Sequence, residues 1–294
     1  MTPASVETPS GKGSGDENFP VGSWLLPAAL RPHVATYYAF ARAIDDIADN
    51  PRLAPDDKID RLKRFDAALQ SADSDAPGLE KAARLRESLA ERGITTARGS
   101  DLVAAFTQDA VKLRYSDWED LLGYCRLSAD PVGRFLLDLH GEDPGGYPAS
   151  DALCTALQIL NHLQDCQDDY RALDRVYLPL DWLTAEDLDV TVLDATASPP
   201  GLRRVIDLCL DGVDTLLVEA QRLPGQLRSS RLAMESAVIV KLALRLSRRL
   251  RRGDPLAGRV ALSKVDFLFA GLRGIAGVQL HRLFAAPQIA GQSG

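Results

Sequence analysis

Apolar residues recur along this chain at helical spacing almost throughout, and alternating strand-like stretches are scarce. The pattern predicts helices over 31–49, 55–70, 79–92, 100–111, 118–128, 131–139, 150–172, 201–222, 231–252 and 264–284. Breaks fall where helices should end. Pro51 follows the first helix, and proline disfavours α geometry in the residue before it. Asp73-Ser74-Asp75-Ala76-Pro77-Gly78 and Gly141-Glu142-Asp143-Pro144-Gly145-Gly146 read as turns, and 191–201 as a loop. Ser100 and Ser150 are placed to act as N-caps. No repeat of solenoid period and no long linker divides the chain. The expectation is one all-α domain over 17–294, a bundle of about ten helices, preceded by a disordered Gly/Ser/Thr/Pro-rich tail over 1–16.

Two helices in this pattern carry acids in an unusual way. Tyr38, Arg42, Asp45 and Asp49 stand at offsets 0, 4, 7 and 11, which confines them to an arc of about 60°. Gln158, Asn161, Asp165 and Asp169 stand at offsets 0, 3, 7 and 11, an arc of about 80°. Like charges one turn apart destabilise a helix by roughly 0.2–0.5 kcal/mol per pair. One such stripe is ordinarily a solvated face. Here Asp45 and Asp46 are embedded among Phe40, Ala41, Ala43, Ile44, Ile47 and Ala48, and the second stripe flanks Leu153, Leu157 and Leu160. A solvated face would be richer in Lys, Glu and Gln. Two acid stripes facing a shared cavity would instead hold magnesium, a hard cation that takes carboxylate and phosphate oxygens. The chemistry that fits is ionisation of a carbon–diphosphate bond, with the carbocation sheltered in an apolar chamber. Tyr37, Tyr38, Phe40, Phe19 and Trp24 could supply aromatic faces to it.

Composition narrows the field. The 294 residues are 46% hydrophobic and 26% charged, ordinary for a globular protein. A net charge of −7 argues against nucleic acid as a partner. Cys125, Cys154, Cys166 and Cys209 form no CxxC pair and suggest reduced thiols in a cytoplasmic protein. His33, His140, His162 and His281 form no ligand cluster and are expected in core or surface roles. The most apolar stretch, 262–286, is broken by Lys264, Asp266, Arg273, His281 and Arg282, so no membrane span is expected. No secretory signal pattern opens the chain, and Gly11-Lys12-Gly13-Ser14-Gly15 is no dinucleotide fingerprint, since no strand precedes it.

The motifs carry a resemblance. Tyr37-Tyr38-Ala39-Phe40-Ala41-Arg42-Ala43-Ile44-Asp45-Asp46-Ile47-Ala48-Asp49 resembles the Tyr-x-x-x-Arg-x-x-Asp-Asp-x-x-Asp element of the head-to-head prenyl synthases, which make squalene, presqualene, dehydrosqualene and phytoene. Asn161 to Asp169, followed by Arg175-Val176-Tyr177-Leu178-Pro179, is similar to that family's second acid motif and its downstream Arg-Ile-Tyr-Leu-Pro. The resemblance spans roughly Phe19 to Lys264. It implies an isoprenoid-synthase helical bundle around a central apolar cavity, several magnesium ions and a farnesyl-derived diphosphate. It also implies roles: Asp45, Asp46, Asp49, Asp165, Asp168 and Asp169 as metal ligands, with Asp46 and Asp168 a step off the stripes. Arg42, Arg175, Tyr177, Arg259 and Lys264 would contact diphosphate, and Tyr38, Gln158, Asn161 and Gln164 would complete the reacting pocket. Tyr177 could equally be a packed aromatic, and Arg259 and Lys264 a surface basic patch.

Departures from the family pattern refine the expectation. Gln164 stands where the family usually has arginine, and Tyr124-Cys125-Arg126-Leu127-Ser128 lacks a tyrosine common after Tyr-Cys-x. Glu17-Asn18-Phe19-Pro20-Val21 lacks the serines that precede the phenylalanine in two-step synthases. These features resemble the hydroxysqualene synthase branch, in which presqualene diphosphate ionises and water captures the cation. That branch ends on water, so no NADPH is expected; the apolar product leaves handover to other squalene-pathway enzymes and peripheral contact with the inner face of a membrane as its exit routes. The alternatives are a same-fold synthase condensing two farnesyl or geranylgeranyl diphosphates, and a non-catalytic helical partner in an isoprenoid complex. Both acid motifs are intact, which argues against the latter.

Overall fold

A computed structural model describes residues 26–74 and 76–285, with side chains to 279. The expected tail over 1–16, and Phe19 and Trp24, lie outside the described residues. The rest is helical: α1 (Arg31–Ala48), α2 (Pro55–Gln70), α3 (Glu80–Arg92), α4 (Ala97–Asp109), α5 (Trp118–Ser128), α6 (Asp130–Leu139), α7 (Tyr147–Gln164), α8 (Cys166–Leu173), α9 (Leu180–Ala185), α10 (Pro200–Ala220), α11 (Leu223–Gln226), α12 (Ser230–Arg252) and α13 (Lys264–Ala285). Two short strands, β1 (Arg114–Tyr115) and β2 (Val176–Pro179), pair in parallel with a register shift between Arg114 and Tyr115.

Local chemistry sets these boundaries. Proline occupies the first turn of α1, α2, α6, α7, α10 and α11, where its missing N–H costs no helical bond. Gly93, at φ +65°, ends α3, and the Ile94 N–H reaches back to the Leu89 carbonyl at 2.9 Å. Asp117 accepts from the Asp120 N–H to start α5, and Ser229 from the Leu232 N–H to start α12. The two expected serine caps are corrected. Ser100 sits inside α4 and Ser150 inside α7, because those helices begin three residues earlier, at Ala97 and Tyr147.

One expected helix is two. The stretch 150–172 breaks at Asp165, with φ −103° and ψ 10°. Side chains anchor both sides of the joint. The Gln164 amide donates to the Val260 carbonyl at 2.6 Å, and the Gln167 amide to the Leu193 and Ala195 carbonyls at 2.7 and 2.9 Å. The 191–201 loop is also more ordered than expected: Val190–Asp194 forms a 3₁₀ turn, and α10 starts at Pro200.

The long helix α7 is the hub, packing on α5, α6, α10 and α12. Its buried positions Ala152, Leu153, Ala156, Ile159, Leu160 and Leu163 recur at three- and four-residue spacing. A second layer of α1 to α4 encloses Phe40, Ile44, Leu62, Phe65 and Leu85. Trp118 of α5 stacks on Trp182 of α9, with ring centroids 5.5 Å apart, and lies directly against Gly212 of α10.

A Cβ at position 212 would overlap the Trp118 indole. Gly212→Ala should therefore destabilise the protein by about 1–3 kcal/mol and lower its melting temperature by several degrees in a circular-dichroism melt. Gly225→Ala, where a Cβ would meet nothing within 4 Å, should leave it nearly unchanged.

Candidate active site

The two acid stripes converge on one cleft. From α1 come Tyr38, Ala41, Arg42, Asp45 and Asp49; from α7 and α8, Gln158, Asn161, His162, Asp165 and Asp169. Phe106 and Asp109 of α4, Tyr124 and Ser128 of α5, and Tyr177 of β2 close it, together with Arg175 just before that strand. Its volume is about 330 Å³. Beside it lies an apolar chamber of about 310 Å³ lined by Tyr37, Phe135, Leu153, Leu157, Leu232 and Ile239 among others. Tyr38 and Ala41 line both cavities. One helix thus presents carboxylates at its C-terminal end and an apolar wall one to two turns earlier.

Arg175 organises the polar end. The residue is 5% exposed, and its guanidinium donates to Asp49 Oδ1 at 2.6 Å, the Ala48 carbonyl at 3.2 Å and the Asp109 carbonyl at 3.1 Å. Ala48 and Asp109 are the last residues of α1 and α4, where carbonyls lack intrahelical partners and attract cations. One side chain therefore ties two helix ends to the strand. Arg42 bridges Asp45 at 2.7 Å and Asp46 at 2.8 Å. Five carboxylates line the cleft against two guanidiniums.

Burial, more than the charge imbalance, weakens these acids. Burial, then the negative charge of Asp49, pushes Asp45 up from 3.8 to about 7, against the pull of Arg42. Burial raises Asp109 to about 6, opposed by Arg175 and by the Tyr124 hydroxyl, which donates to it at 2.8 Å. Burial and Asp169 raise Asp165, while Arg259 lowers it. All these donors are carboxylate oxygens in a crowded site that would be relieved by a hard cation. The set therefore fits magnesium chemically. Among the described residues, no three His, Cys, Asp or Glu side chains form a ready-made metal site, so a cation here would also draw on water or substrate oxygens.

Aromatic rings form the floor. His162 stacks on Tyr177 with centroids 3.5 Å apart, and Tyr177 stacks on Tyr115 at 5.4 Å. The Gln158 amide lies 3.0 Å from His162 Nε2, and Asp169 lies 3.7 Å from Nδ1. Burial, first of all, raises the Tyr124 and Tyr177 hydroxyls well above their ordinary value.

Of the residues expected from sequence, Tyr38, Arg42, Asp45, Asp49, Gln158, Asn161, Asp165, Asp169, Arg175 and Tyr177 meet in the cleft. Five others do not line it. Asp46 is buried against Arg42, a step round α1 from the stripe. Asp168 points outward from α8. Gln164 is buried and spends its amide on Val260, so it is not placed to touch a reacting group. Arg259, on the α12–α13 connection, and Lys264, the first residue of α13, are exposed and outside the cleft lining, although the charge of Arg259 reaches Asp165. Tyr37 faces the apolar chamber, but Phe40 is fully buried against Phe65 in the core. Asp109, Phe106, Tyr124, Ser128 and His162 were not anticipated. His162 stood inside the second motif, where its place next to Asn161 was the available signal.

Because the pKa values of Asp45, Asp109 and Asp130 are all raised from 3.8, to about 7, 6 and 7, folding favours their protonated forms. The stability this provides is complete below pH about 4 and is lost as pH rises through 6 to 7. Metal-free protein should melt at a lower temperature at pH 8 than at pH 5. Asp45→Asn should recover about 1–3 kcal/mol at pH 8 and nothing near pH 4. Equal effects at both pH values, in thermal melts, would contradict this assignment.

Comparison with known proteins agrees with the geometry. A family model described as squalene/phytoene synthase matches residues 13–266. A hydroxysqualene synthase of Rhodopseudomonas palustris is 43% identical over 97% of this chain and 96% of its own length. One from Zymomonas mobilis is 39% identical over 94% and 91%. The crystal structure of a squalene synthase from Alicyclobacillus acidocaldarius superposes with a TM-score of 0.70 at 33% identity, covering 79% of this chain and 87% of that one. On fold, motifs and site together, the chain belongs to the squalene/phytoene synthase family and is an enzyme of the hydroxysqualene synthase type.

Proposed function

We propose that this protein converts presqualene diphosphate and water to hydroxysqualene and diphosphate, with magnesium and without NADPH. The observation that carries the reading is the pair of adjoining cavities, one acidic and one apolar, that meet at Tyr38 and Ala41. A prenyl diphosphate has the same two-part character. Asp45, Asp49, Asp165 and Asp169 would hold magnesium, which when bound neutralises diphosphate charge as the carbon–oxygen bond breaks. Arg42 and Arg175 line the same cleft and are the guanidiniums we assign to phosphate oxygens. Arg259 extends positive charge toward the rim.

The chamber supports the remaining chemistry. Its wall excludes water from the hydrocarbon, so the cation meets only the water admitted at the polar end. The rings of Tyr38, Phe106, Tyr124 and Tyr177 line the cleft and favour developing positive charge. Gln158 and Asn161 bring amide groups to the same end. No helix among the described residues is long and apolar enough to cross a membrane. We place the enzyme in the cytoplasm, at the inner membrane face, passing its product to the next squalene-pathway enzyme.

Purified protein supplied with presqualene diphosphate and magnesium should yield hydroxysqualene. Farnesyl diphosphate alone should yield nothing, and NADPH should not alter the product. Presqualene diphosphate formed from farnesyl diphosphate would instead favour the condensing synthases. Chelation with EDTA should stop turnover. Asp49→Asn and Asp165→Asn should each lower kcat by at least about 100-fold with an unchanged circular-dichroism spectrum. Near-normal turnover at saturating magnesium would remove that aspartate from the metal set.

A further inference from the structure

The helix α13 carries large apolar residues on the side it turns to water. Asp266, Ala270, Gly274 and Val278 form its buried side. Gly274 sits so close to α12 that a Cβ would meet the Val238 backbone nitrogen at 2.9 Å. The opposite stripe is Val265, Leu268, Phe269, Leu272 and Ala276, within about 100° of arc. Val265, Leu268, Phe269 and Leu272 are 57%, 60%, 56% and 60% exposed. A surface helix ordinarily turns charged residues outward.

A basic ridge runs beside this stripe. On α12, Lys241, Arg245, Arg248 and Arg252 stand at offsets 0, 4, 7 and 11, and Arg245 reaches across to Asp266 of α13 at 2.9 Å. Residues 241–273 carry nine Lys or Arg and two Asp in a chain whose net charge is −7; Arg251 turns to Asp211 and Asp214 of α10, and Arg245 and Arg249 share Asp266, so Lys241, Arg248 and Arg252 carry the excess positive charge of the ridge. That charge decides what the apolar face meets. A symmetric pairing with a second copy would bring two such basic ridges together. Anionic lipid headgroups neutralise them, while the acyl region takes the apolar side chains.

We propose that this face of α12 and α13 docks the enzyme on an anionic lipid bilayer. The inference rests on the reading that substrate and product are long-chain isoprenoids, which a bilayer dissolves and water does not. The docked face is continuous with the site. The connection between α12 and α13 holds Val260, which accepts from Gln164 at 2.6 Å, and Arg259, whose charge acts on Asp165.

The full chain, without substrate, should co-sediment with vesicles containing phosphatidylglycerol. It should bind phosphatidylcholine vesicles or salt-screened vesicles at least about tenfold less. The triple variant Leu268→Ser, Phe269→Ser, Leu272→Ser should lose binding by a similar factor, as should Arg248→Glu with Arg252→Glu. Both should keep the native melting transition and native turnover in detergent micelles. Wild-type protein that stays in the supernatant, or a triple variant that binds normally, overturns the proposal. So does a wild-type dimer in sedimentation velocity that the triple variant converts to monomer, because the face then covers a second copy. Turnover in micelles is independent of docking, so its absence would count against the proposed reaction alone.

Discussion

The crowding of carboxylates in one half-buried cleft is the constraint around which this structure is arranged. Asp45, Asp49, Asp109, Asp165 and Asp169 face one another with Arg42 and Arg175 as the cleft's guanidinium counter-charges. Burial and mutual repulsion make the ionised state expensive, as the displaced acidity of Asp45 shows. A fold selected for stability alone would not gather these charges. Its helices instead carry the load by anchoring each acid on a rigid element and by lending two arginines whose own positions are fixed by the same acids.

Much of this was legible in the sequence because the relevant spacing is local. Offsets of 0, 4, 7 and 11 put Tyr38, Arg42, Asp45 and Asp49 on one side of α1 whatever lies opposite. The second stripe survived even though its helix is broken at Asp165, since the break keeps Asp169 on the cleft side. The break itself was not legible: Gln164 and Gln167 hold it through carbonyls at 193, 195 and 260, tens of residues away. Asp109 was hidden for the same reason, a single acid at a helix end whose meaning comes from Arg175 and Tyr124. The strand carrying Tyr177 pairs with only two residues of β1, too short for alternation to register.

Residue type and residue position also proved separable. Gln164 and Asp168 stand inside the second motif yet face protein and solvent respectively. His162, between them and Asn161, turns into the cleft and stacks on Tyr177. A motif marks a stretch of chain, whereas the angular position of each residue on its helix decides whether it reaches the chemistry. The family match over residues 13–266 establishes the ancestry of the stretch. The geometry of α7 and α8 assigns its individual members.

Arg175 has a consequence for the adaptability of the fold. Its planar fork spans the terminal carbonyls of α1 and α4 and the Asp49 carboxylate at once. The separation of those two helix ends is thereby gauged by the width of a guanidinium. A lysine would keep the charge but, as a point donor on a flexible stem, would no longer act as a spacer. The aperture of the acid cleft is thus a side-chain dimension, set by this strut together with its acceptors on both helices.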